Sequence, residues 1–278
     1  WKNVELHRKQ DLPQSALKVV NAIRQKAQKT NNTSHLIAAM LSTYQLEKEI
    51  SPDSTQRVLE DMERFCAAET RPVPRALWHS VLGQVLNQES SVEDIFGDEL
   101  VDIEDDVLDE ASKEVEEGEQ EKTPFTRSLE HFRAAFQDIP ALATAKIEDY
   151  EALFNASPKA ATKIDHKLLV ALLQDLFEIE NYHYKRPFSV TEYVALLEKS
   201  RDLFLKNQEE RAALQAEILI LQAKGDSYLE NFTSTLSLNN DEKTDVGGKC
   251  TFVSQAAALE AVEKVLARYG HLPEAGKV

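Results

Sequence analysis

The chain has 278 residues, 42% apolar and 29% charged, with 48 Asp and Glu against 32 Lys and Arg and a net charge of −16. That is enough for two ordinary domains or one long solenoid with a core, which excludes a disordered chain. No apolar run reaches the roughly 18 residues of a membrane-spanning helix, and two distant cysteines, Cys66 and Cys250, make neither a disulfide scaffold nor a CxxC metal motif.

Gly and Pro are scarce, at 8 and 9 residues. Leu, Ala, Glu and Gln abound, and nowhere do β-branched and polar residues alternate long enough for a sheet, so the pattern predicts an all-α fold. The first dozen residues are polar and read as a lead-in. A helix starts at Pro13, where the missing N–H does no harm, with Leu17, Val20, Ile23 and Ala27 on one stripe. Asn31 to Ser34 stops it and caps a second helix carrying Leu36, Ile37, Met40, Leu41 and Tyr44. Ser51 to Ser54 is the next stop-and-start signal. A third helix follows with Val58, Leu59, Met62, Phe65 and Cys66, and after Arg71-Pro72-Val73-Pro74 a fourth with Leu77, Trp78, Val81, Leu82 and Val85.

Residues 89–123 change character. Sixteen are Asp or Glu and two are Lys, a local charge of −14. Residues 1–88 carry +3 and residues 124–278 carry −5, so the low isoelectric point belongs to one stretch. Ile95, Phe96, Leu100, Ile103 and Val107 could share a helical face, whereas nothing from Ala111 to Thr123 has a core to enter. The charge divides the chain into an N-terminal helical part (1–88), an acidic, largely flexible linker (89–123) and a C-terminal helical domain (124–278).

The second half restarts at Thr123-Pro124. Leu129, Phe132, Phe136 and Ile139 read as one helix ended by Pro140, and a short helix around Ile147 to Phe154 follows. The most apolar segment, from Lys163 to about Tyr184, is the expected centre of the core. Ser189 to Glu192 fits a capping box, and the helical pattern then runs to about Phe232 with Val190, Val194, Leu197, Phe204, Leu214, Ile218 and Leu221 at roughly heptad spacing. Its seam is interrupted near Lys206 to Glu210, which leaves one long helix or two with a joint there. After the loop 239–249, a last helix runs to Tyr269, with Gly270 as its stop.

The four N-terminal helices fall into two hairpins with a period near 41–42 residues. Leu36-Ile37 at a helix start, Glu60-Asp61-Met62 in the helix after it and Pro72 or Pro74 in the link behind that fill the places of a short first helix, an acidic-Met helix end and a Pro-containing link. On these residues, the region 13–88 resembles pentatricopeptide-type helical-hairpin repeats. The resemblance implies an α-solenoid and an organellar, mitochondrial setting, and helical repeats of that kind bind proteins as well as RNA. A chain beginning at Trp1 rather than Met fits a processed organellar protein and equally a trimmed fragment.

Chemistry-bearing motifs are missing from the sequence. The seven histidines, His7, His35, His79, His131, His166, His183 and His271, show no HExxH, HxH or Cys-His spacing. The acidic run from Asp102 has Val107 where a calcium loop needs Gly. Gly247-Gly248-Lys249 lacks phosphate-loop spacing. Sequons at Asn31, Asn32 and Asn231 read as chance in an intracellular chain. No catalytic residue, cofactor or metal ligand is therefore expected.

The leading expectation is a non-enzymatic structural or adaptor subunit whose partners are other protein subunits. The expected partner-binding residues are Ile95, Phe96, Leu100 and Val107 in the acidic stretch, the aromatic-basic cluster Tyr182, His183, Tyr184, Lys185 and Arg186, and Leu197 and Phe204 on the long helical segment. An RNA-associated helical-repeat protein, supported by the +3 of residues 1–88 and by Arg71 and Arg75, is the alternative. A helical enzyme assembled from His131, Glu130, His166 and Tyr193 is the third class.

Overall fold

The computed structural model describes residues 1–90, 122–154, 167–182, 188–237, 252 and 254–277. Among them twelve α-helices form and no strand does, apart from one isolated bridge between Lys146 and Lys167. The fold is all-α, and none of the described helices is long and apolar enough to cross a membrane.

The lead-in is itself a helix, α1 (Lys2–Lys9). Val4 is buried against α2 (Pro13–Lys29) and α3 (Thr33–Ile50), and Trp1 donates from its ring N–H to Nδ1 of His35 at 3.1 Å. Its apolar content is too small to show a stripe, so sequence periodicity misses it. Asn32 caps α3 by accepting from the His35 amide. A short turn at Pro52–Ser54 leads into α4 (Thr55–Ala68), and Pro72 starts α5 (Pro72–Glu89). The helices α2 and α3 pack on each other, as do α4 and α5. The predicted stripes are buried at Val20, Ile37, Met40, Val58, Leu59, Met62, Leu77, Trp78, Val81 and Leu82.

After the acidic stretch, Thr123 accepts from the Thr126 amide and caps α6 (Pro124–Ala135). Pro140 does not end a helix, as its sequence context suggested. It lies in the first turn of α7 (Ile139–Thr144), capped by Asp138, where proline is tolerated. A 3₁₀ turn and α8 (Glu151–Phe154) follow, then the core helix α9 (Leu168–Tyr182). The Ser189–Glu192 capping box opens α10 (Val190–Lys206), and the chain then turns into α11 (Glu210–Ser237). The pattern from Val190 to Phe232 is thus two helices packed side by side, not one rod. The last helix, α12 (Gln255–Tyr269), rests on α11 and stops at Gly270, whose φ of −60° is right-handed.

Three of the helix-to-helix reversals share one backbone solution. Leu12, Asn32 and Glu209 donate to the carbonyls of His7, Ala27 and Phe204, while Asp11, Asn31 and Gln208 donate to Arg8, Gln28 and Leu205. This is the paired 6→1 and 5→2 pattern of a Schellman motif. It places a non-glycine residue in the left-handed region each time: Asp11 at φ 55°, Asn31 at 51° and Gln208 at 62°.

The division at 89–123 does not divide the core. One cluster of buried apolar residues runs from Ile37 and Trp78 through Phe132 and Leu172 to Phe204 and Tyr269. Its densest junction is between α5 and α6, on opposite sides of the acidic stretch. Charge read the stretch as a boundary, but hydrocarbon on α5 is complementary to hydrocarbon on α6. Residues 91–121 lie outside the described residues, and with them nearly all of the expected flexible linker and the residues Ile95, Phe96, Leu100 and Val107.

Candidate metal centre and exposed helical faces

Three side chains meet where α4, α5 and α6 pack. Cys66 lies in the last turns of α4, His79 in α5 and His131 in α6, and their ligand atoms all fall within 4.8 Å of one another. The two imidazoles approach most closely, with Nδ1 of His79 2.9 Å from Nδ1 of His131. Each of the three is a sequence neighbour of an aromatic packed on the core: Phe65, Trp78 and Phe132. Phe65 and Trp78 stack at 5.8 Å between centroids, which fixes α4 against α5. Phe132 fills the space above Gly83, which fixes α6 against α5. The aromatics set the helix rotations, and rotation places the adjacent Cys and His on the shared seam.

The electrostatics keep this cluster uncharged at neutral pH. Burial pushes the Cys66 thiol up to about 11, with Arg75 pulling the other way and Glu63 and Glu69 adding to the rise. Burial, then the charges of His131 and Arg75, lower His79 to about 4. Burial, then Arg127, holds His131 below its ordinary value, against a smaller opposite pull from Glu130. Neutral imidazoles present a lone pair on one ring nitrogen, the form that binds metal. Arg127 also pairs with Glu63, so α6 and α4 are tied by an ion pair beside the cluster.

Sequence spacing could not find this grouping. His79 lies thirteen positions after Cys66, and His131 lies fifty-two positions after His79, beyond the acidic stretch. Metal motifs read from sequence are local, and these ligands come from three helices.

No family model matches the chain, and no curated protein or solved structure matches it. Function has to be read from the chain's own geometry.

The expected partner surface fares unevenly. Leu197 and Phe204 are fully buried, so they belong to the core and cannot meet a partner. Their heptad spacing is the seam by which α10 packs inward. Tyr182 ends α9, while His183, Tyr184, Lys185 and Arg186 lie outside the described residues. Of the scattered enzyme constellation, His166 is likewise outside them. Tyr193 is buried and donates its hydroxyl to the Leu173 carbonyl at 2.9 Å, and Glu130 pairs with Lys122 at 2.6 Å.

One open apolar face was not singled out from sequence. On α12, Leu259 is 60% and Leu266 41% exposed, while Val265 and Tyr269 are buried. Leu259 and Leu266 are seven residues apart and so share a face, with half-buried Val262 between them. The helix therefore carries two stripes, one against its own chain and one against solvent. Sequence shows both stripes but not which of them the fold covers.

Proposed function

We propose that the chain is a non-enzymatic structural or adaptor subunit of a larger multiprotein assembly and acts through helical protein–protein interfaces. The open Leu259–Val262–Leu266 stripe on α12 carries this reading. A helix that buries only Val265 and Tyr269 while holding two large aliphatic side chains in solvent has a face suited to a partner helix. A mitochondrial setting rests on the pentatricopeptide-type resemblance of residues 13–88.

Among the described residues, the geometry adds nothing to the RNA alternative. Of its two arginines, Arg71 donates from Nε and Nη2 to the Glu69 carboxylate at 2.9 and 2.8 Å and from Nη2 to Thr33 at 2.6 Å. A guanidinium so engaged is a poor free phosphate clamp.

Native purification of the full chain, beside the double variant Leu259→Ser/Leu266→Ser, tests the assembly reading. The wild type is expected to bring down a defined set of subunits in fixed ratio, and the variant to lose them while keeping its helical circular dichroism. A wild-type chain that runs as a monomer without stable associates overturns the reading. Salt-dependent RNA binding by the full chain would support the alternative.

A further inference from the structure

The geometry points to a binding site for a zinc-class divalent cation formed by Cys66, His79 and His131, with solvent as the fourth ligand. This is independent of the assembly reading. The donor set is one thiolate and two imidazoles, which suits zinc and neighbouring transition metals and is poor for magnesium or calcium, both of which take oxygen. Zinc bonds of about 2.0–2.1 Å to nitrogen and 2.3 Å to sulfur imply donor separations of about 3.3–3.6 Å in a tetrahedron. The three ligand atoms already lie within 4.8 Å of one another, and the two Nδ1 atoms at 2.9 Å need open by only a few tenths of an ångström.

A hydrogen bond between two neutral imidazoles would account for the 2.9 Å contact, and the thiol would then serve only as apolar packing in the core cluster. Two of the chain's seven histidines and one of its two cysteines converge at this place from three helices. Cys66 is buried, while His79 and His131 are half-buried, so the histidines are the side of the group nearer solvent. On binding, the Cys66 S–H bond breaks, the S–metal bond forms and the proton leaves to solvent, so binding releases one proton and involves no change of oxidation state. The bound ion would pin α4 and α5 to α6, across the acidic stretch.

The test is cobalt(II) titration of the full chain carrying Cys250→Ser, in a non-thiol reductant and excess magnesium, which occupies carboxylates. Cys66 is then the only thiol. One equivalent of cobalt is expected to give a thiolate-to-cobalt charge-transfer band with the intense visible bands of a tetrahedral ion, and zinc is expected to displace it. Cys66→Ser should abolish the charge-transfer band. His79→Gln or His131→Gln should weaken binding by more than about 100-fold, beyond the 10–100-fold of outer-shell partners. Zinc should raise the melting temperature of the Cys250→Ser chain and leave that of the Cys66→Ser chain unchanged. Absence of the charge-transfer band in the Cys250→Ser chain overturns the proposal even where the ligand variants fail to fold. So does cobalt binding that survives in His79→Gln/His131→Gln, or that magnesium removes.

Discussion

Gly83 lies against the ring of Phe132, so close that a Cβ built on the glycine would stand 2.9 Å from two ring carbons. Phe132 is buried, so the ring has nowhere to retreat. The contact lies between α5 and α6, the pair that carries the core past the acidic stretch. Gly83→Ala gains roughly 1 kcal/mol of helix propensity but meets an overpacking cost of about 1–3 kcal/mol. The net expectation is a loss of about 1 kcal/mol. Gly225, in α11, is the control, because a Cβ there meets nothing within 4 Å. Gly225→Ala should raise stability by about 0.5–1 kcal/mol. Urea unfolding of the two variants measures both, and the idea fails if they shift stability in the same direction.

Gln208 joins α10 to α11 from the left-handed region, at φ 62°, with its side chain exposed. A β-carbon in that conformation costs roughly 1 kcal/mol or more, and glycine avoids the cost. The two Schellman hydrogen bonds are made by the backbone and survive the exchange. Gln208→Gly should therefore stabilise the chain by about 0.5–1 kcal/mol after the larger unfolded-state entropy of glycine is subtracted. Gln208→Val should do the reverse, since a β-branched residue tolerates positive φ worst. Thermal melts of both variants check the order glycine, glutamine, valine.

These reversals also show why some features were legible in the sequence and others were not. Capping residues act on groups three positions away, so Asn32 and the Ser189–Glu192 box could be read directly. Stripes such as Val58, Leu59 and Met62 likewise declare a buried face. Helix ends without glycine or proline do not announce themselves. The turn at Gln208 shows in the sequence only as a gap in the heptad seam, which leaves one helix or two open, and α1 shows no stripe because Val4 supplies its single buried side chain. The Cys66–His79–His131 group lay further out of reach. It depends on which helix face meets which, and the aromatics beside each ligand decide that. Periodicity marks a face as apolar without naming its partner, which is why Leu197 and Phe204 read equally well as interface and as core.

The capping box gives a further test. Ser189 accepts from the Glu192 amide at 3.2 Å, and the Glu192 carboxylate accepts from the Ser189 amide at 2.9 Å. Ser189→Ala removes the first bond and leaves a first-turn N–H unpaired, at a cost of about 1 kcal/mol. In a chain of this size that lowers the melting temperature by about 2–4 °C. Ser189→Asp keeps an acceptor and places negative charge at the helix N-terminus, so it should restore most of the loss. A melting temperature for Ser189→Asp as low as that of Ser189→Ala would count against the cap.

Glu69 and Arg71, in the link between α4 and α5, set an acid dependence. The hydrogen bonds from Arg71 hold the Glu69 carboxyl below its ordinary value of 4.5, against the opposing effect of burial. Arg71 in turn reaches Thr33 at the start of α3, so the pair fastens the two hairpins together. A depressed carboxyl binds its proton more weakly in the folded chain than in the unfolded one. Its contribution is complete above the unfolded value of 4.5, falls as the pH drops below it, and is gone once the pH has passed the lower folded value. Because Arg71 is half exposed, solvent screening holds the pair to about 1 kcal/mol. Glu69→Gln should therefore be less stable than the wild type by about that amount near neutral pH and close to it in strong acid. Urea denaturation of both chains from about pH 7 down to pH 3 measures the gap, and a gap that stays constant over this range would show that the Glu69 charge contributes nothing.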